Sequence, residues 1–128
     1  MFDRQQVVKA IRESWSKATS GNPDEWTPDN PARGQCDASS FVFWELFGGD
    51  LVLAEVFVDG QRTEHHYWNR IDGEDIDLTG EQFTNGEDVR EKQVVPNHQI
   101  HEKIPTMRSE LRKRVDLMRE SVRATLDA

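Results

Sequence analysis

Val7, Val8, Ile11 and Trp15 recur at helical spacing near the start of the chain, and Asp3 stands where an N-cap belongs, so the pattern predicts a first amphipathic helix. Residues 20–34, "SGNPDEWTPDNPARG", carry three prolines and two glycines among polar residues and read as one long loop. Trp26 inside it favours order, because an indole tends to anchor a loop to the body. A second helix is predicted from Asp37 to Phe47. Its "FVFWELF" segment is apolar on nearly every side, the mark of a helix buried mid-domain, and Gly48–Gly49 stop it. Three strand patterns follow: "LVLAEVFV" at 51–58, "TEHHYWNRI" at 63–71 and "EDIDL" at 74–78. Asp59–Gly60 and Asp72–Gly73 between them are hairpin turn signals. Asn85–Gly86 then lead into a stretch read as irregular up to Pro105. Leu111, Val115, Met118, Val122 and Leu126 form the stripe of a last helix, read from Thr106 as N-cap to Leu126.

Helix, helix, antiparallel meander, helix is an α+β arrangement. The 128 residues fit a single domain spanning 1–128, a length at which about two thirds of the unfolded surface is buried. Hydrophobic residues make up 35%, with four Trp and six Phe, enough for a compact aromatic core. The formal charge of −8 opposes general binding to nucleic acid or an anionic membrane, so neither is expected as a partner. The basic run Arg112–Arg114 is read as a solvated helix face. No apolar run approaches a membrane span, the N-terminal residues lack a signal peptide's apolar stretch, and one cysteine cannot form an internal disulfide. A cytoplasmic protein with a reduced thiol is the expectation.

That thiol, Cys36 in "GQCDASS", carries the candidate chemistry. At the amino end of a helix it would face unpaired N–H groups and the positive end of the dipole, which favour the nucleophilic thiolate. The same N–H groups can hold an oxyanion, and Gln35 adds an amide donor. Asp37 works against a thiolate unless it is occupied in capping the helix, which is the reading adopted here. Catalysis also needs a base and a group to orient it. If Ile71 lies opposite Glu74 across an Asp72–Gly73 turn, His66, Trp68, Arg70, Asp75 and Asp77 share one face of the sheet. His65, Tyr67, Ile71, Ile76 and Leu78 then share the other. His66 and Asp77 become diagonal neighbours within reach of each other.

A Cys at a helix start, a His on a strand and an Asp on the next is the order of papain-like and transglutaminase-like folds. "HYWNRIDGEDIDLT" resembles the transglutaminase-type pattern of His, an aromatic two residues on, a turn, then Asp-x-Thr. The resemblance implies Cys36 as nucleophile, His66 as base and Asp77 as the orienting carboxylate. Trp15, Trp26, "NPARGQC", "GGDL", "HYWN" and "DLTGEQF" also resemble the bacterial YunG-like family over about residues 15–83. The fold so implied is papain-like, a buried Cys-bearing helix packed on a small antiparallel sheet with flanking N- and C-terminal helices.

The function expected is thiol-dependent acyl transfer on a peptide or other amide-containing substrate, by hydrolysis, deamidation or transamidation. The alternative is a non-catalytic binding or regulatory module keeping the same groove. Tyr67 and Trp68 are read as core and groove wall, Phe83 as a cap on the sheet, and Asn69 as satisfying backbone at the strand end. His98 and His101, with Cys36 and His65 or His66, would be the set for a zinc site. Pro96 and Pro105 flank the pair and paired cysteines are absent, so neither a metal nor a cofactor is expected.

Overall fold

The computed structural model describes residues 2–84 and 86–128. Four helices and four strands run in the order α1 (Arg4–Ser14), α2 (Cys36–Phe47), β1 (Asp50–Val58), β2 (Gln61–Ile71), β3 (Glu74–Ile76), β4 (Asp88–Val95), α3 (Asn97–Lys103) and α4 (Ser109–Leu126). The strands form one antiparallel sheet ordered β3-β2-β1-β4. The α+β arrangement of the sequence pattern is present, with one strand and one helix more.

Local chemistry explains the first two-thirds of the chain. Asp3 accepts from the Gln6 amide while the Gln6 side chain takes the Asp3 N–H, a capping box that starts α1. Both hairpins turn on residues in the left-handed region, Asp59 and Gly60 at φ 51° and 80° and Asp72 and Gly73 at the same values. Such pairs match the right-handed twist of the strands they join. The register follows, with Ile71 opposite Glu74, Arg70 opposite Asp75 and Asn69 opposite Ile76.

α2 lies between the other helices and the sheet. Val42 and Phe43 join Val7, Ala10 and Ile11 of α1 and Val115, Met118 and Val122 of α4 in the main core. Trp44 joins Leu51, Val95 and Ile100 in a second cluster. The Trp15 indole donates to Ser39 Oγ at 2.9 Å, and that hydroxyl contacts Met118 Sδ at 3.7 Å, tying all three helices together. Leu46 is exposed, so α2 is less completely enclosed than its apolar run implies. Asn69 donates to the Ser40 carbonyl at 3.0 Å, which identifies the helix-facing side of β2.

Three expectations are corrected. The stretch before Pro105 contains β4 and α3. β4 is missed because seven of its eight residues are exposed, so no apolar alternation marks it; pairing to β1 forms it instead. Pro96 caps α3, whose Ile100 is buried. α4 begins at Ser109 rather than at Thr106, because residues 104–106 form a tight turn in which the Thr106 hydroxyl bonds back to the Lys103 carbonyl. Arg114 is no part of a solvated face but 5% exposed, as described below. The Asn85 half of the Asn-Gly turn lies outside the described residues.

The long loop is closed by its own side chains. The Trp26 indole donates to the Pro31 carbonyl at 2.9 Å, and Asn30 Nδ2 to the Gln82 carbonyl at 3.0 Å. Gly34 takes φ +76°, and a Cβ there would stand 2.3 Å from Ser20 Oγ and 2.7 Å from the Asn22 amide. No helix of the described residues is long and apolar enough to cross a membrane. We expect Gly34→Ala to lose about 3 kcal/mol in urea unfolding, through backbone strain plus a clash the loop cannot relieve. Gly60→Ala, at φ +80° with nothing within 4 Å, should lose only about 1 kcal/mol.

Candidate functional site

Gly34, Gln35 and Cys36 carry the chain from the loop into α2. Gln35 occupies the cap position with no side-chain cap bond, and the helix starts at Cys36, one residue before the sequence reading. Asp37 is therefore not the N-cap. Its carboxylate receives both Arg114 nitrogens, at 2.8 and 2.9 Å, and the Ala38 amide at 2.8 Å. Arg114 is buried and also bonds Glu110. A buried guanidinium demands carboxylate partners, and a bidentate pair meets that demand better than a cap position would.

Cys36 is half-buried in a cleft of about 610 Å³ shared with Glu64, His65, Tyr67, Arg108 and Arg114. Burial pushes its thiol up to about 12, and the Asp37 and Glu64 carboxylates add to the rise. Backbone N–H groups of Tyr67 and Asp37 bond the sulfur and oppose the rise without cancelling it. The helix start thus does what the dipole argument expects, but desolvation and two neighbouring carboxylates outweigh it. At neutral pH the free protein holds a thiol.

His66 is 1% exposed. Its Nε2 lies 3.1 and 3.0 Å from the two carboxylate oxygens of Asp77. β3 ends at Ile76, so Asp77 sits in the turn beyond it, diagonal to His66 in the register. The Thr79 amide bonds Asp77 at 3.3 Å. A Cβ on Gly80 would come within 2.9 Å of Oδ2, so this glycine leaves the carboxylate its space. Phe83 stands edge-on to the imidazole at 4.8 Å, and Trp68 lies 5.7 Å from it. Nδ1 is buried with no hydrogen-bond partner.

The structure therefore brings His66 and Asp77 together, and it places the thiol against the backbone of Tyr67, the residue next to His66. It makes no hydrogen bond between sulfur and imidazole. Tyr67 and His65 line the cleft while His66 is buried next to them, and Cys36 meets the edge of β2 beyond the three residues that β3 covers. His65 is exposed and lies 3.0 Å from Arg62 Nη1. Gln35 is buried; its Nε2 donates to the Ser16 carbonyl at 2.9 Å, and its Oε1 has no partner. One amide hydrogen is thus committed away from the thiol.

His101 and His98 lie on α3, where His101 stacks edge-on against Trp44 at 4.8 Å. No three potential metal ligands cluster among the described residues. Sequence reasoning missed Gln82, whose Oε1 accepts from the Gly34 amide at 3.1 Å and so joins the Asp77 turn to the start of α2. It also missed Arg114 and Arg108, which no local pattern marks as facing Cys36.

The family model described as "YunG protein" matches residues 3–127. The chain belongs to the YunG family. One relative within it, "Uncharacterized protein YunG" of Bacillus subtilis (strain 168), is 32% identical over 79 residues, a match that spans 62% of this chain and 62% of that protein. No solved structure matches. Membership of the YunG family agrees with the resemblance carried by "NPARGQC" and "DLTGEQF". The residues of those two stretches are the ones that Gly34 and Gln82 join.

Removing the Asp37 charge tests the electrostatic account of the thiol. In Asp37→Asn the thiol should titrate about one pH unit lower than in the wild type, read from thiolate absorbance. The linkage has a defined sign. The folded thiol titrates above its ordinary value near 9, so its contribution to stability is complete below that pH and is lost as pH rises towards about 12. Asp37→Asn should flatten that alkaline limb in unfolding experiments; an unchanged limb would remove the carboxylate from the explanation.

Proposed function

We propose that this YunG-family protein is a thiol-dependent acyl-transfer enzyme acting on an amide, with a core of papain-like or transglutaminase-like type. One observation carries the reading: a fully buried imidazole bonded through Nε2 to a carboxylate, with Nδ1 left unpartnered. Leaving a buried polar atom unpaired costs about 1–3 kcal/mol. Unpaired atoms of this kind call for a functional reason. With the Nε2 proton donated to Asp77, Nδ1 is the basic lone pair, the tautomer a general base requires.

In the proposed reaction His66 Nδ1 takes the Cys36 proton as the sulfur attacks the amide carbonyl. Asp77 holds the imidazole and stabilises the imidazolium. The Cys36 N–H, at the first position of α2, and the remaining Gln35 amide hydrogen face the developing oxyanion. The imidazolium then gives its proton to the departing amine, and water or a second amine releases the acyl group from the sulfur. Cys36 must first leave the Tyr67 N–H, a side-chain rotation at the sheet edge. Keeping the thiol protonated until substrate arrives fits a base that acts during attack rather than a standing thiolate.

A second reading has its own support. A thiol pushed up to about 12 and bonded to backbone instead of imidazole also suits a binding module that uses the cleft without chemistry. Alkylation of Cys36 by iodoacetamide across pH separates the two. The enzyme reading expects a reactive limb near neutral pH, well below the thiol's own titration. His66→Ala should lower that limb about tenfold or more, a modest share of what general bases supply. A single alkaline limb, identical in wild type and His66→Ala, would favour the binding module.

A further inference from the structure

A second cavity, of about 370 Å³, adjoins the Cys36 cleft and shares three walls with it: Phe41 of α2, Tyr67 of β2 and Leu111 of α4. In the register Leu53 stands opposite Tyr67, and Leu51 stands opposite Val95. All four line the cavity, and Met107 joins them from the turn before α4. Leu51 and Val95 are buried members of a core cluster. Leu53 is half-buried and belongs to neither cluster. Phe41, Tyr67, Met107 and Leu111 are half-buried as well. Polar residues enter only as Gln93, Lys103 and Thr106, all exposed.

Single half-exposed apolar residues are ordinary on a protein surface; five converging on one concavity, with a few polar groups among them, form the usual build of a ligand pocket. Water held against those side chains is released when an apolar group takes its place. A volume near the low end of the roughly 300–1,000 Å³ of such pockets suits one side chain rather than a whole peptide. The thiol end of the same cleft is different in kind. There Asp37 and Glu110 share Arg114, and Glu64 and Glu25 share Arg33, so even with Arg108 the acids outnumber the arginines. That end does not favour a carboxylate, and it offers little carbon to bury. The gain on binding lies in the apolar cavity.

We propose that this cavity seats an aromatic or branched aliphatic side chain of the substrate, so that the amide attacked by Cys36 carries a bulky apolar group close to its carbonyl. This inference rests on the thiol reading above and names its substrate class. Tyr67 links the two places: its backbone N–H bonds the sulfur, and the residue also lines the cavity. Phe41 lies five residues beyond Cys36 on α2, about 7–8 Å along the axis. A side chain on the residue that bears the amide, or on its neighbour, spans that separation. Leu53 and Met107 are specificity residues, holding the apolar group while the carbonyl meets the sulfur.

Two alkylating reagents test this without knowledge of the natural substrate. N-benzyliodoacetamide carries a phenyl ring beyond its amide, and iodoacetamide does not. The ratio of their rate constants at Cys36 cancels changes in the thiol's own reactivity. We expect the benzyl-to-plain ratio in the folded wild type to exceed that of the urea-unfolded chain by about tenfold, in line with the burial of one aromatic side chain. Leu53→Gln and Met107→Gln approach the cavity from β1 and from the turn before α4, and each should lower the folded ratio about threefold or more. Equal ratios in folded and unfolded wild type, with Cys36 labelled in both, overturn the role of the cavity and leave the thiol reading intact. A raised ratio that survives both substitutions also overturns it, because the benzyl group then binds elsewhere. Failure of both reagents to label Cys36 in the folded wild type overturns the thiol reading and this inference with it.

Discussion

Gly34 is the point at which three separate parts of the chain meet. Its carbonyl accepts from Gly21 at 2.8 Å, its amide donates to Gln82, and the space a Cβ would fill is taken by Ser20 and Asn22. The long loop, the first turn of α2 and the turn that carries Asp77 are therefore positioned against one another through the Gly34 backbone, by a backbone bond to Gly21 and a bond to the buried Gln82 side chain. Cys36 lies two residues beyond this junction, and Asp77 five before Gln82. The relation between thiol and histidine–aspartate pair depends on how tightly these segments are drawn together.

Around that junction, burial has been matched by charge pairing. Arg114 reaches from α4 into the start of α2, and Arg33 reaches from the loop to β2, each meeting two carboxylates. Removing one member of such a buried set leaves a charge without a partner, at a cost near 3–5 kcal/mol. The arrangement fixes where the segments sit, and it also sets the chemistry. Burial and the carboxylates brought in to satisfy arginines keep the proton on the sulfur, while the imidazole is buried beside Asp77 with one nitrogen committed and one without a partner.

Much of the fold could be read from local pattern. The capping box of α1, the Asp-Gly turns and the stripe of α4 are short-range signals, and each forms as the residues dictate. The diagonal approach of His66 to Asp77 was also legible, because a two-residue turn fixes register and register fixes parity. β4 was not. Its "DVREKQVV" has no apolar face to advertise, and it becomes a strand only because β1 offers an unpaired edge. Asp37 was read as a cap because nothing nearby competes for it; Arg114, seventy-seven residues later, does.

The sequence by itself determined α1, α2, α4, the two hairpins with their registers and the pairing of one histidine with one aspartate, since these follow from forces acting over a few residues. Tertiary structure alone decided that α2 starts one residue earlier, that β4 and α3 form, and that the thiol rests against the Tyr67 backbone and retains its proton. Those outcomes are set by strand pairing, by desolvation and by charges meeting from distant segments, and all three come into existence only when the chain has closed on itself.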